Sequence, residues 1–424
     1  MKRIVCFTFV ALAILIAASP LSAVEPTPLP HPNAFAGERF GFDTAVCDYG
    51  LTFVGRPYHG PSGSVAVFRN GAHVLDIAPP RSTSRFGETV AVSQNCNRLV
   101  IGAPGDDEGG TDAGAAFIFT LAGLDPLDYD YDSFPLTGVE AGHELGQAVA
   151  VSPSGNTVAL GAPSAYTNEG FVFIVWKVNG LWSAMNLQFS DTEPNDYVGF
   201  ALAVDDAQVV TGAPNDFNVA NGTAWFGSFY VHNKNEGGTN NWGEVMKGTI
   251  PMDGIGQLGY AVAKSGRRVA LGANMEGLAG GNGPGAVYTV LLSGSTFSVE
   301  QHITSPTPEN TSYFGSDVAL IGNLLVVGEP NYDGAVDNIG KWSVYRKPSS
   351  GTWGFVTSYE VAGASLNDRG GWSVGLYGGH IVAGAPFSDT DGVDTGSAYT
   401  STLFNIFSDG FELGGVGVWS PPSP

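Results

Sequence analysis

The sequence predicts an all-β protein, a seven-bladed β-propeller of four-stranded antiparallel blades. Three observations carry that reading. A short pattern with two glycine signatures recurs seven times along the chain. The composition, 60 Gly and 26 Pro with only 14% charged residues, demands many turns and leaves little room for helices. No sustained 3.6-residue apolar period follows the first two dozen residues.

The N-terminus reads as a secretory signal over residues 1–23. Met1-Lys2-Arg3 precedes an apolar run, Ile4 to Ala18, that is short for a bilayer span, and cleavage is expected after Ala23. Cys6 lies inside that run, so no lipid anchor is expected, and no later stretch is long and apolar enough to cross a membrane. Residues 24–37 form a Pro-rich lead-in, residues 38–403 the repeats, and residues 404–424 a tail. Either the lead-in or the tail could complete the last blade.

The cleanest repeat runs from Phe86 to Phe119. An aromatic-Gly pair opens an apolar run, a polar turn follows, and a second apolar run ends in Gly-Ala-Pro. A Gly- and Asp-rich loop then leads to a third run, Gly114 to Phe119. The opening glycines are Gly41, Gly87, Gly146, Gly199, Gly259, Gly315 and Gly371, spaced 46 to 60 residues apart. The second-signature glycines are Gly55, Gly102, Gly161, Gly212, Gly272, Gly328 and Gly384, each 13 to 15 residues later. Two signatures held in step at this period mean propeller blades.

The second strand, as in Leu99-Val100-Ile101, is apolar on both faces, as a strand covered on both sides should be. The Pro after it offers no N–H to a ladder and closes the strand; the fifth copy has Asn274 there. Segments around Trp182, Trp242 and Trp353 predict a fourth, outer strand.

The paired Phe-Gly and Gly-Ala-Pro signatures resemble the FG-GAP repeats of the integrin α-subunit propeller and its bacterial exported relatives. The resemblance covers residues 38 to 403 and implies the propeller fold. It also implies calcium loops between the first two strands, but the corresponding turns, such as Ser93–Asn97 and Ser152–Asn156, lack a ligand set. The family's calcium sites are therefore expected to be absent, and no cofactor is assigned.

Acid is concentrated instead in the loop after the Pro. Asp107 and Asp112, then Asp333, then Asp389, Asp391 and Asp394, take corresponding places before a Gly. Turn chemistry explains such residues, since Asp bonds nearby backbone and tolerates left-handed φ; weak metal coordination is the other reading. These loops lie on the face that binds ligand in the family, which makes an acidic rim a candidate contact surface. Cys47 and Cys96 sit at nearby places in the first two repeats and form a possible disulfide, which export permits.

No catalytic residue is assigned. His143-Glu144-Leu145-Gly146 lacks the second His of a zinc HExxH, and no Gly-x-Ser-x-Gly elbow or triad spacing is present. The 18 basic and 40 acidic side chains give a charge of −22, which excludes nucleic acid and anionic membranes as natural partners. The segment Ile406 to Ser420 resembles a C-terminal sorting motif of exported Gram-negative proteins; the other reading is a last edge strand. The expected function is therefore a secreted or cell-surface, non-enzymatic, adhesion-like binding module whose partner is a protein or glycan. The alternatives are an extracellular enzyme acting on a glycan or ester polymer, or a purely structural surface protein.

Overall fold

The computed structural model describes residues 22–121, 129–132, 139–220, 223–252, 255–277, 283–361, 363 and 365–404. The expected signal sequence up to residue 21 and the 406–420 motif lie outside the described residues. The described chain is all-β and built from antiparallel meanders.

The first four-stranded sheet pairs Thr44–Val46, Leu51–Arg56, Ser64–Arg69 and Ala72–Ile77 in that order. The second pairs Thr89–Val92, Arg98–Ala103, Ala115–Leu121 and Tyr129–Asp132, and the third runs from Ala148–Val151 to Leu181–Asn186. An eight-stranded sheet holds two more meanders, Ala201–Val204 to Trp242–Gly248 and Leu258–Ser265 to Thr296–Thr304, joined by one parallel bridge between Gly227 and Leu258. Val318–Ile321 to Gly354–Glu360 form the next sheet. The last contains Ser373–Tyr377, His380–Ala385 and Ser397–Phe404. Trp182 and Trp242 lie in outer strands, and Trp353 immediately precedes one.

The lead-in completes the last sheet. Thr27–Pro28 pairs with Tyr399 and Thr400, and Ser22–Ala23 pairs with Leu403 and Phe404. Of these two short strands, only Thr27–Pro28 would survive cleavage after Ala23. Leu29 from the lead-in is buried with Phe40, Val54, Ala66 and Phe68 of the first repeat and Ala398 of the last.

Consecutive repeats meet through their glycines. Gly55 abuts the carbonyl of Gly87, Gly102 that of Gly146, and Gly161 that of Gly199. The series continues through Gly212 on Gly259, Gly272 on Gly315 and Gly328 on Gly371, and Gly384 abuts the carbonyl of Gly41. A Cβ at any of these second-signature positions would overlap the next repeat's backbone, which cannot swing aside as a flexible side chain could. The opening glycines sit near φ 89°, as at Gly87 and Gly315, a conformation that L side chains resist. Parallel bridges flank these contacts, pairing Gly63 with Phe86, Gly114 with Leu145, Gly170 with Val198, Gly340 with Gly370, and Gly396 with Phe40.

Between neighbouring sheets the apolar second and third strands interlock. Leu51, Phe53, Val65 and Val67 bury against Phe86, Leu99, Ile101 and Phe117. Cys47 and Cys96 lie in the same cluster, bonded as a disulfide with their Cα atoms 5.6 Å apart. That bond ties the first repeat to the second beneath their shared core.

Replacing Gly102 with Ala should lower unfolding free energy by about 3 kcal/mol, because backbone must move to admit the methyl. Gly354→Ala, at an exposed outer-strand position where an added methyl would come no closer than 3.8 Å, to Arg346 O, should change it by less than about 0.5 kcal/mol. Urea denaturation of both variants measures the difference.

Candidate functional site

The loops after the Pro and the loops between repeats emerge on one face, and backbone hydrogen bonds lace them together. In each repeat the residue two places before the opening glycine is left-handed without being glycine. These are Arg39, Arg85, Glu144, Tyr197, Gln257, Tyr313 and Arg369, with φ between 53° and 58°. Such a backbone costs a non-glycine residue about 1 kcal/mol or more and persists only where its surroundings enforce it. Here the amides of Arg39, Glu144, Tyr197 and Arg369 donate to the carbonyls of Asp394, Asp112, Asn168 and Asn338 in the preceding loop. Those four acceptors are left-handed as well, at 49° to 64°. The recurrent Asp or Asn before the loop glycine thus has a structural cause: it is the residue type that accepts this conformation most readily.

The same geometry accounts for the sequence-predicted acids. Asp107 Oδ1 accepts the Asp112 N–H at 2.9 Å, Asp333 Oδ1 the Asn338 N–H at 2.8 Å, and Asp389 Oδ1 the Asp394 N–H at 2.8 Å. Asp112 Oδ1 lies 3.7 Å from Arg85, and Asp391 Oδ2 lies 3.7 Å from His31. They stand in separate loops. Among the described residues no three His, Cys, Asp or Glu side chains gather as a metal site would require. The first-strand turns are tight hairpins, with Ser93 N donating to Arg98 O and Ser152 N to Thr157 O.

Buried acids beneath the loops hold them down. Glu38, fully buried, meets His31 at 2.7 Å and His59 at 2.5 Å. Burial alone would raise its pKa, but the His31 contact and the Phe35 amide hold it below the usual carboxylate value. Asp216 takes Lys247 at 2.6 Å and Ser228 at 2.5 Å, Glu276 takes Tyr288 at 2.5 Å, and Glu329 takes Lys341 at 3.2 Å.

Near the inner edge of this face, guanidinium groups lie on aromatic rings. Arg39 Cζ is 4.8 Å from the ring centres of both Tyr58 and Phe387. Arg369 Cζ is 4.9 Å from Phe387 and 5.7 Å from Trp372, which itself packs on Phe387 at 5.3 Å and Phe42 at 5.8 Å. On other repeats Phe200 packs on Tyr260 at 4.8 Å. Arg85, by contrast, is engaged by Glu144 at 3.0 Å and Glu88 at 3.4 Å. Burial raises Glu88 to about 7, with Arg85 opposing.

Two further carboxylates stand immediately before innermost strands. Asp43 Oδ2 accepts the Val90 N–H at 2.6 Å, and Asp317 Oδ2 accepts the Val374 N–H at 2.6 Å, each reaching the next repeat. Dense surroundings push Asp43 up to about 8, reinforced by the charge of Asp317, and burial pushes Asp317 up to about 7.

A family model for the FG-GAP repeat matches residues 80–119. The chain carries an FG-GAP repeat. That stretch contains Gly87, Gly102 and the Asp107–Asp112 loop, so the matched repeat includes the second-repeat contacts described above. No curated protein matches the chain.

Sequence reasoning located this face through its acids and missed the left-handed positions. Arg, Glu, Tyr and Gln occupy them, and none of these types announces a positive φ; only their fixed offset from the opening glycines could have exposed them.

The Asp43 and Asp317 shifts have a definite sign. A carboxyl whose folded pKa is raised holds its proton better in the folded state, so its contribution is fully present below about 4 and is lost as pH rises toward 8. Asp43→Asn with Asp317→Asn removes the charges and keeps one of the two acceptor oxygens of each side chain, the one that can still take the Val90 or Val374 N–H. The double variant should show a flatter fall in Tm between pH 5 and pH 9 than the parent, measured by calorimetry.

Proposed function

We propose that this chain forms a closed seven-bladed propeller, exported from a bacterial cell, that works as a non-enzymatic binding module through its loop face. The contact of Gly384 with Gly41, the Gly396–Phe40 bridge and the cluster shared by Leu29, Phe40 and Ala398 support closure of the last repeat on the first. The signal-like N-terminus, the acidic surface and the disulfide support export.

The left-handed residue repeated in all seven copies is the observation that carries the binding role. Strained backbone recurring at one place on one face, with aromatic and charged side chains mounted on it, supports a recognition surface. Large apolar side chains exposed on the same loops, including Tyr166, Phe217, Leu366 and Val393, point the same way. The ionisable groups beneath these loops are paired with one another, which favours contact over catalysis. Adhesion or ligand capture at or outside the cell surface is the role this fits.

The test is binding of fluorescently labelled mature protein to immobilised polysaccharide and protein fractions of a Gram-negative envelope. Trp372→Ala combined with Tyr313→Ala should weaken binding at least tenfold, while Leu181→Asn, on an outer strand and 75% exposed, should leave it unchanged. Equal binding by both variants would contradict the assignment of the loop face.

A further inference from the structure

Arg39 and Arg369 are conspicuous in a chain of net charge −22. Their guanidiniums share the ring of Phe387, with Cζ atoms 4.8 and 4.9 Å from its centre. Like charges gathered on one ring ordinarily recruit a carboxylate. Among the described residues neither guanidinium has a salt bridge or a side-chain hydrogen bond, although the charge of Arg39 is felt by the buried Glu88 carboxylate, and Arg369 Nε is buried without a partner. Other arginines on this face are engaged: Arg56 by Asp76, Arg81 by Asp106, Arg85 by Glu144. Both arginines also stand on left-handed backbone, held by the carbonyls of Asp394 and Asn338. A guanidinium held against an aromatic ring and not salt-bridged within the chain suits bidentate capture of a carboxylate.

Elsewhere in the same register the character changes. Tyr197, Gln257 and Tyr313 are half-buried and bring aromatic rings, hydroxyls and an amide without a fixed positive charge. A sugar ring has one apolar face and a hydroxyl edge, which match rings that carry a polar tip. The geometry points to an acidic glycan as the ligand: a uronate carboxylate received by Arg39 and Arg369, with neighbouring sugar rings on the aromatic and hydroxyl-bearing positions. This assignment rests on the reading of the loop face as a binding surface and names the chemistry that the surface selects.

Titration calorimetry of the mature protein tests it, with trigalacturonate as the probe, maltotriose as the neutral trisaccharide and a tetra-aspartate peptide as the acidic non-sugar. The variant is Arg39→Gln with Arg369→Gln. Glutamine already occupies the same left-handed position at Gln257, so folding should be retained, and an unchanged melting temperature would verify that. Trigalacturonate should bind, maltotriose should bind at least tenfold more weakly, and the double variant should lose at least tenfold toward trigalacturonate. Raising salt from 50 to 300 mM should weaken the parent and leave the residual binding of the variant nearly flat. Arg39→Lys with Arg369→Lys, which keeps charge without the planar fork, should recover only part of the loss.

Equal affinity for maltotriose and trigalacturonate, unaffected by the glutamines but lost in Trp372→Ala, would overturn the anion assignment while leaving the binding face in place. Arginine-dependent binding of tetra-aspartate alone would overturn the sugar assignment. Absence of trigalacturonate binding, or binding that survives every substitution on this face, would overturn the proposal itself.

Discussion

The contact on which the rest of this structure depends is a glycine of one repeat pressed against a glycine carbonyl of the next. It recurs as Gly55 on Gly87, as Gly102 on Gly146 and onward to Gly384 on Gly41. Because no side chain intervenes, the innermost strands approach closely, and the sheets splay outward from that seam. The outward space is filled by apolar second and third strands, such as Phe53 and Val67 against Leu99 and Phe117. The left-handed opening glycine turns the chain into the seam, and the residue two places before it is left-handed for the same reason. Backbone approach thus sets the spacing of the sheets, and side-chain packing completes it.

Much of this was legible in the sequence because glycine is the residue that such an approach selects. The paired series 13 to 15 residues apart placed the first two strands of every repeat, and the Pro after Ala103 or Ala162 marked where the second strand stops. The outer strands were legible through Trp182 and Trp242, whose rings need cover. Which terminus finishes the last sheet was not legible, since Thr27–Pro28 contributes two backbone pairings and no pattern. The loop acids were visible, but their partners were not. That Asp107 receives the Asp112 amide, or that Asp394 offers its carbonyl to Arg39, depends on loop conformation rather than on residue type.

The loop face follows from the seam. A strand forced to enter at a glycine must be preceded by a tight turn, and the preceding loop supplies the carbonyl that holds it. Side chains at that turn are therefore delivered to one rim, whatever their identity, which leaves them free to vary. Arg39 and Arg369 use that freedom to lie across Phe387, Arg85 to pair with Glu144, and Tyr197 and Tyr313 to present rings. The carboxylates of Asp43 and Asp317 reinforce the inner edge by reaching the amides of Val90 and Val374 in the following repeats. The scaffold and the display of side chains on the loop face are thereby two consequences of one backbone constraint.

Closure requires the junction between last and first repeat to be a seam like the others. Native-state hydrogen exchange distinguishes the two cases. Phe40 N donates to Thr395 O at 2.8 Å across that junction, as Phe86 N donates to Ser62 O at 3.0 Å and Leu145 N to Ala113 O at 3.0 Å across internal ones. In a closed ring the Phe40 amide exchanges only through global unfolding, with the same opening free energy as Phe86 and Leu145. Exchange at Phe40 through a low-energy local opening, while Phe86 and Leu145 stay protected, would show an open arc and contradict closure.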